Sequence, residues 1–222
     1  MTNSRKLWIV RHGERLDNVI GKRTFRESSD CVRWDDPPLS LRGRSQAKEV
    51  GIRLSTESIQ YVFCSPFTRC VQTAAQILSQ FSGRKPLLCI EPGLGENLSS
   101  CNDPPGRASM KEICQIYPEV NETYKPVFQT LPPEPPMESG CADRMAVTIR
   151  TLLSRYPTGN ILLISHGSPI ACIHLSLFGK WNYVGQCTIG EVAQESPTSF
   201  RLLAWNSKDH LSDKENLHDH EL

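Results

Sequence analysis

Two histidines in this chain stand at the same kind of junction. His12 follows the apolar run Leu7–Val10 in KLWIVRHGER, and His166 follows Ile161–Ile164 in ILLISHGSP. Arg11 and Arg15 flank the first histidine. Ser65 and Arg69 follow a third apolar run, Tyr61–Cys64, and Glu96 follows a fourth, Leu87–Ile90, through EPGLGE. Arginine forks match phosphate oxygens in geometry as well as charge, so these side chains together would suit a tetrahedral dianion. His12 adds chemistry to binding. A neutral imidazole attacks phosphorus, whereas imidazolium does not, and adjacent arginines disfavour imidazolium. A backbone carbonyl accepting from Nδ1 would aim Nε2 at the phosphate. Attack would give a phosphohistidine and split one hard displacement into two easier ones. Arg11, Arg69 and His166 would hold the phosphoryl oxygens. Glu96 would protonate the leaving oxygen and then take a proton from water. Glu91, at the strand end itself, competes for that role. Arg15 belongs in the pocket. Asn18 and Ser65 would either touch phosphate or cap a helix.

These residues need a scaffold that delivers strand ends to one edge. Five apolar runs read as strands: the four above and Phe200–Trp205. Four of the five are apolar at successive positions, as in parallel strands covered on both faces. Helical stripes lie between them. The clearest is Phe67, Val71, Ala74, Leu78 and Phe81; others run through Met145, Ile149 and Leu152, and through Ala47, Val50 and Leu54. Pro169–Phe178 is a further helix. The pattern predicts an α/β fold, a three-layer, doubly wound and mostly parallel sheet, whose ligands bind at the C-terminal edge. Ser65-Pro66 and Ser168-Pro169 read as helix starts, with serine at the N-cap and proline first in the helix. Residues 97–140 are turn-rich and read as a lid insertion over that edge, with a short helix near Ser109–Tyr117 and a stiff Pro-rich loop at 131–136. One domain is expected over residues 1–205, followed by a charged tail, 206–222, disordered or loosely docked. His210, His218 and His220 lie in that tail and read as solvated. Trp8 and Trp205 read as core, and His174 as a packed helix histidine.

Composition sets the outer bounds. Hydrophobic residues make up 38% of 222 and charged residues 22%, as in globular proteins, and no apolar run is long enough to span a membrane. No secretory leader pattern precedes the first strand. The nine cysteines are scattered without a C-x-x-C pair, a poor framework for disulfides or zinc. A cytoplasmic location is the expectation. Net charge is only +1, but residues 1–53 carry twelve Lys/Arg against seven Asp/Glu. That end favours anionic ligands. No Lys/Arg run or aromatic stripe supports nucleic acid.

The motifs resemble those of the histidine phosphatase superfamily, the phosphoglycerate-mutase-like fold. VRHGERLDN resembles its R-H-G signature, DPPLSLRGRSQA its D-x-P-L-S/T-x-x-G-x-x-Q-A segment, and CSPFTRCVQTA its S-P-x-x-R-x-x-Q-T-A helix start. EPGLGE resembles its acid/base loop, and ISHGSPI carries its second histidine. The resemblance implies nucleophile His12, pocket residues Arg11, Arg69 and His166, and proton donor Glu96, with no metal or other cofactor. RHGER followed by CSPxxRCVQTA and EPGL is most similar to the Sts/TULA-type and insect steroid-phosphate phosphatase domains. That implies a phosphorylated small molecule or a phosphotyrosine protein as substrate; the exclusion of nucleic acid and of a membrane rests on the composition above. Dimers are frequent among related proteins, so a homodimer is compatible with it. Gly95 and Asn97 replace bulky aromatics beside the acid. A mutase would follow its acid with E-R-x-Y-G, where this chain has Asn-Leu-Ser-Ser. A secreted acid phosphatase would have proline at Asp17 and aspartate at Gly167. A cysteine phosphatase needs C-x5-R, and Cys64 to Arg69 is C-x4-R. The alternative of another class is a module that holds phosphorylated ligands without turnover.

Overall fold

A computed structural model describes residues 5–219. Six strands form one sheet: β1 (Arg5–Arg11), β2 (Ile59–Cys64), β3 (Leu88–Ile90), β4 (Asn160–Ser165), β5 (Ile189–Ser196) and β6 (Ser199–Ser207). Their order is β3-β2-β4-β1-β5-β6. The first four are mutually parallel; β5 runs antiparallel to both β1 and β6. Seven α-helices accompany them among the described residues: α1 (Leu16–Ile20), α2 (Lys22–Glu27), α3 (Leu41–Leu54), α4 (Thr68–Ser79), α5 (Met110–Ile116), α6 (Ala142–Arg155) and α7 (Gly167–Phe178).

The unbroken apolar runs serve two cores, because successive strand residues point to opposite faces. Trp8, Val10, Val62, Cys64, Leu162 and Ile164 pack under α3 and α4. Leu7, Ile9, Phe63, Ile161 and Leu163 pack under α6 and α7. Helices on both faces make the three-layer, mostly parallel α/β architecture expected. The crossover after β1 leads to α3 on one face, and β4 feeds α7 on the other. Their loops open a crevice at the C-terminal ends of β1 and β4, where such sheets bind ligands.

Several local expectations change. β5 has no counterpart among the sequence-derived strands. Its IGEVAQES mixes Gly190, Glu191 and Gln194 into the apolar positions, so neither a run nor a strict alternation marks it, yet it pairs with β1 from Arg5↔Gln194 to Val10↔Ile189. Trp205 is 50% exposed, because β6 is an edge strand with one face in water. Neither serine-proline pair opens a helix as expected. Phe67 is the N-cap residue of α4 and His166 that of α7, with Ser168-Pro169 already inside it. Segment 97–140, expected as a lid, contributes to the sheet and the core. Val120 bridges Leu88 beside β3, and Ile113 and Val120 enter the core.

The tail is the largest revision. Residues 208–219 fold back onto the domain, with Leu211 and Leu217 buried to 2% and 1% exposure. Two leucines inserted in the core stabilise the dock by about 1.5–3 kcal/mol each before ordering costs. Charge along a segment hid this anchor, which needs only two apolar side chains at the right spacing. His210 is tied through Nε2 to the Cys187 carbonyl at 3.0 Å; His220 lies outside the described residues.

Candidate active site

Strand register brings the chemistry together. Arg11 stands level with Ser165, and Cys64 with Ile164. The ladder continues one residue further, through His12 N–H to the Ser165 carbonyl and Ser65 N–H to the Ile164 carbonyl, both at 3.0 Å. Three strand ends therefore deliver His12, Ser65 and His166 side by side. Gly13 and Gly43 let the first loop close down on the start of α3. A Cβ on Gly13 would meet the Gly43 carbonyl oxygen at 2.5 Å, and one on Gly43 would meet the Glu14 carbonyl oxygen at 2.1 Å.

His12 is 1% exposed, with Nδ1 2.8 Å from the Gly13 carbonyl. A carbonyl only accepts, so the Nδ1 proton is fixed and the Nε2 lone pair is left for chemistry. Burial, then the charges of Arg69 and Arg11, hold the His12 pKa well below its usual 6.5. His166 is held low for the same leading reasons. Both rings are neutral near pH 7, and they meet edge to face with centroids 5.3 Å apart.

Glu96 enters from the loop after β3. Its Oε2 lies 3.3 Å from His166 Nδ1 and accepts from Arg69 Nη2 at 3.2 Å. One nitrogen or oxygen from each of His12, Glu96 and His166 falls within 4.8 Å of the others. Such a trio has the donors for a metal ion. Arg69 against the carboxylate and Arg11 beside the histidines disfavour a cation there and favour an anion. Glu91 has a different place. It is fully buried and accepts from Gly93 N–H at 2.7 Å, from Val127 N–H at 2.7 Å and from the Tyr124 hydroxyl. Every one of those bonds holds a loop.

The cations are tethered in different ways. Arg11 donates from Nη1 to the carbonyls of Val184 at 2.8 Å and His218 at 2.6 Å, and its guanidinium lies 5.2 Å from the Tyr183 ring centroid. Arg69 donates to the Asp35 carbonyl at 3.2 Å and lies 3.6 Å from the Asp36 carboxylate. Among the described residues the Nε of both has no partner. Arg15 forms a two-bond fork to Asp17, at 2.8 and 2.7 Å. Asn18 accepts from Gln186 Nε2 at 2.9 Å. All four residues, with Glu96, line one cleft of about 1100 Å³. Ser65, like His12 and His166, is not part of that lining. It is fully buried with Oγ 2.8 Å from His166 Nε2, a contact that orients that ring, and it stands 3.4 Å from the Phe67 N–H at the start of α4.

Sequence reasoning missed several members. Arg144, fully inside α6, clamps the acid loop by donating to the carbonyls of Gly93, Gly95 and Glu96 at 2.8–2.9 Å. A lone arginine beside a helical stripe reads as solvated, so no signal marked it. Tyr183 lies against Gly167, where a Cβ would meet its hydroxyl at 2.5 Å. Phe25, Trp34 and the tail residues Lys214, Asn216 and His218 complete the walls.

Comparison with known proteins gives the chain its relatives. The chain is 30% identical over 204 residues to human ubiquitin-associated and SH3 domain-containing protein A, covering 77% of this chain and 31% of that one. It is 27% identical to the ecdysteroid-phosphate phosphatase of Drosophila melanogaster, covering 79% of this chain and 27% of that one. The chain thus spans about a third of the length of such relatives. The crystal structure of the Bombyx mori ecdysone phosphate phosphatase with tungstate superposes with a TM-score of 0.66 at 22% identity, covering 92% of this chain and 97% of that one, and shows the same fold. Residues 7–207 match the family profile of the histidine phosphatase superfamily (branch 1), and the chain belongs to that superfamily.

Proposed function

We propose that the chain is a phosphomonoesterase that works through a phosphohistidine on His12 and needs no metal. The observation that carries this reading is the His12 ring itself, fixed by the Gly13 carbonyl, held neutral, and within 4.8 Å of both Glu96 and His166 at ligand atoms. His12 Nε2 attacks phosphorus as the bond to the leaving oxygen breaks, and protonated Glu96 gives that oxygen its proton. The Glu96 carboxylate then takes a proton from water as the water oxygen attacks phosphorus and the P–N bond breaks. Inorganic phosphate and neutral His12 result. Arg11, Arg69 and His166 hold the phosphoryl oxygens; Arg15 and Asn18 contact the substrate further out.

The cleft is far larger than one phosphate and has aromatic walls in Phe25, Trp34 and Tyr183. That supports a bulky leaving group, an aryl or steroid alcohol or a phosphotyrosine side chain, and agrees with the ecdysteroid-phosphate phosphatase relatives. Among the described residues no helix is long and apolar enough to cross a membrane. Nine cysteines without a C-x-x-C pair support a reducing, cytoplasmic setting.

The test is hydrolysis of para-nitrophenyl phosphate with EDTA present, in wild type and His12→Ala. Turnover that survives EDTA and falls by at least about 10³-fold in the variant is expected. Equal turnover in the two proteins would remove His12 as nucleophile.

A further inference from the structure

The segment 208–219 is built into the cleft rather than laid over it. Leu211 and Leu217 pin it in the core. Leu217 accepts through its carbonyl from Gln186 N–H at 2.8 Å. Arg42 ties it to the loop after β1 by bridging Asp213 and Glu14, both at 2.8 Å, and by donating to the Glu215 carbonyl. Either side of Leu217 the backbone is left-handed at a residue other than glycine, with φ 49° at Asn216 and 51° at His218. Such a conformation persists only where the surroundings enforce it, and it tends to occur where geometry serves function. Here it presents the His218 carbonyl to Arg11 Nη1 at 2.6 Å.

We infer that the His218 carbonyl is a positioning group for Arg11, so that phosphate affinity depends on the 208–219 strap. This rests on the phosphatase reading, in which Arg11 holds a phosphoryl oxygen. The carbonyl supplies direction without charge. A carboxylate in its place would neutralise the guanidinium and compete with the substrate. With the Val184 carbonyl on the same Nη1, the strap fixes the Arg11 guanidinium at a second point.

Two substitutions at one position separate backbone from side chain. Proline fixes φ near −65° and cannot hold the left-handed turn, whereas glycine adopts it freely. The probe is orthovanadate binding by calorimetry, alongside kcat and KM on para-nitrophenyl phosphate. His218→Pro should weaken vanadate binding about tenfold, the scale of one hydrogen bond to a charged group, and raise KM. The thermal midpoint should hold, because Leu217 and Arg42 still anchor the strap. His218→Gly should recover most of the lost affinity, although it lacks the imidazole. Vanadate affinity unchanged in His218→Pro would overturn the inference, as would equal losses in both variants. If the wild type binds vanadate but turns nothing over, the phosphatase reading fails while the binding series still decides the strap.

Discussion

Burying two uncharged histidines among arginines has a cost that acid should expose. His12 and His166 are 1% and 0% exposed, and burial followed by Arg69 keeps both from protonating in the folded state. In the unfolded chain each returns to about 6.5. Below that pH the unfolded chain takes up protons that the folded chain refuses. The contribution of these histidines to stability is therefore full above pH 6.5 and is lost as pH falls from 6.5 toward their folded values. Each group gives a slope approaching 1.4 kcal/mol per pH unit. Between pH 7.5 and 5.5 the pair should cost up to about 3 kcal/mol, or several degrees in Tm for a domain of this size. Urea unfolding at the two pH values measures it, in wild type and in the double variant His12→Asn/His166→Asn. Other titrating groups are common to both proteins and cancel in the difference. The variant's acid-dependent loss should be smaller by an amount approaching that limit of about 3 kcal/mol for two protons. Equal losses would mean that the histidines protonate inside the fold, and the neutral-nucleophile argument would collapse.

The two glutamates of EPGLGE should separate cleanly. Glu96→Gln should lower kcat by about 10²–10⁴-fold with little change in Tm, while Glu91→Gln should lose about 2–3 kcal/mol in urea unfolding and keep most of its kcat. Gly43→Ala forces a Cβ to within 2.1 Å of the Glu14 carbonyl oxygen; a loss of about 2 kcal/mol or more is expected, and wild-type stability would show that the loop has room to move. Arg144→Met frees the acid loop, so kcat should fall about tenfold with KM nearly unchanged; an effect on KM alone would contradict the clamp.

What the sequence made legible was local. Strand ends carrying His12 and His166 could be read because an apolar run announces a buried strand and a glycine its turn. Glu96 is preferred to Glu91 because a carboxylate at a strand-end turn is often a cap, and Glu91 does spend itself on three loop-holding bonds. The long-range partners left no local trace. Arg144 meets the Glu96 loop across 48 residues and His218 meets Arg11 across 207. β5 was hidden because its apolar positions are broken by Gly190 and Glu191, and it forms by pairing with β1 rather than by propensity.

Those long-range contacts share a logic. A phosphate site must hold cations rigidly without cancelling them. Arg15, toward the outer part of the cleft, is paired with a carboxylate and gives up much of its field to Asp17. Arg11 is held by two carbonyls and a tyrosine face, all uncharged, and so keeps its field for the ligand. Arg69 stands between. It shares Asp36 at 3.6 Å and Glu96 at 3.2 Å. Its hold on Glu96 must loosen when that acid carries the proton for the leaving group. In the proposed mechanism a protonated Glu96 leaves Arg69 shared between Asp36 and the phosphoryl oxygens before the leaving group departs, and giving up the proton restores the Arg69–Glu96 pair, so that one ion pair ties proton donation to the hold on phosphate.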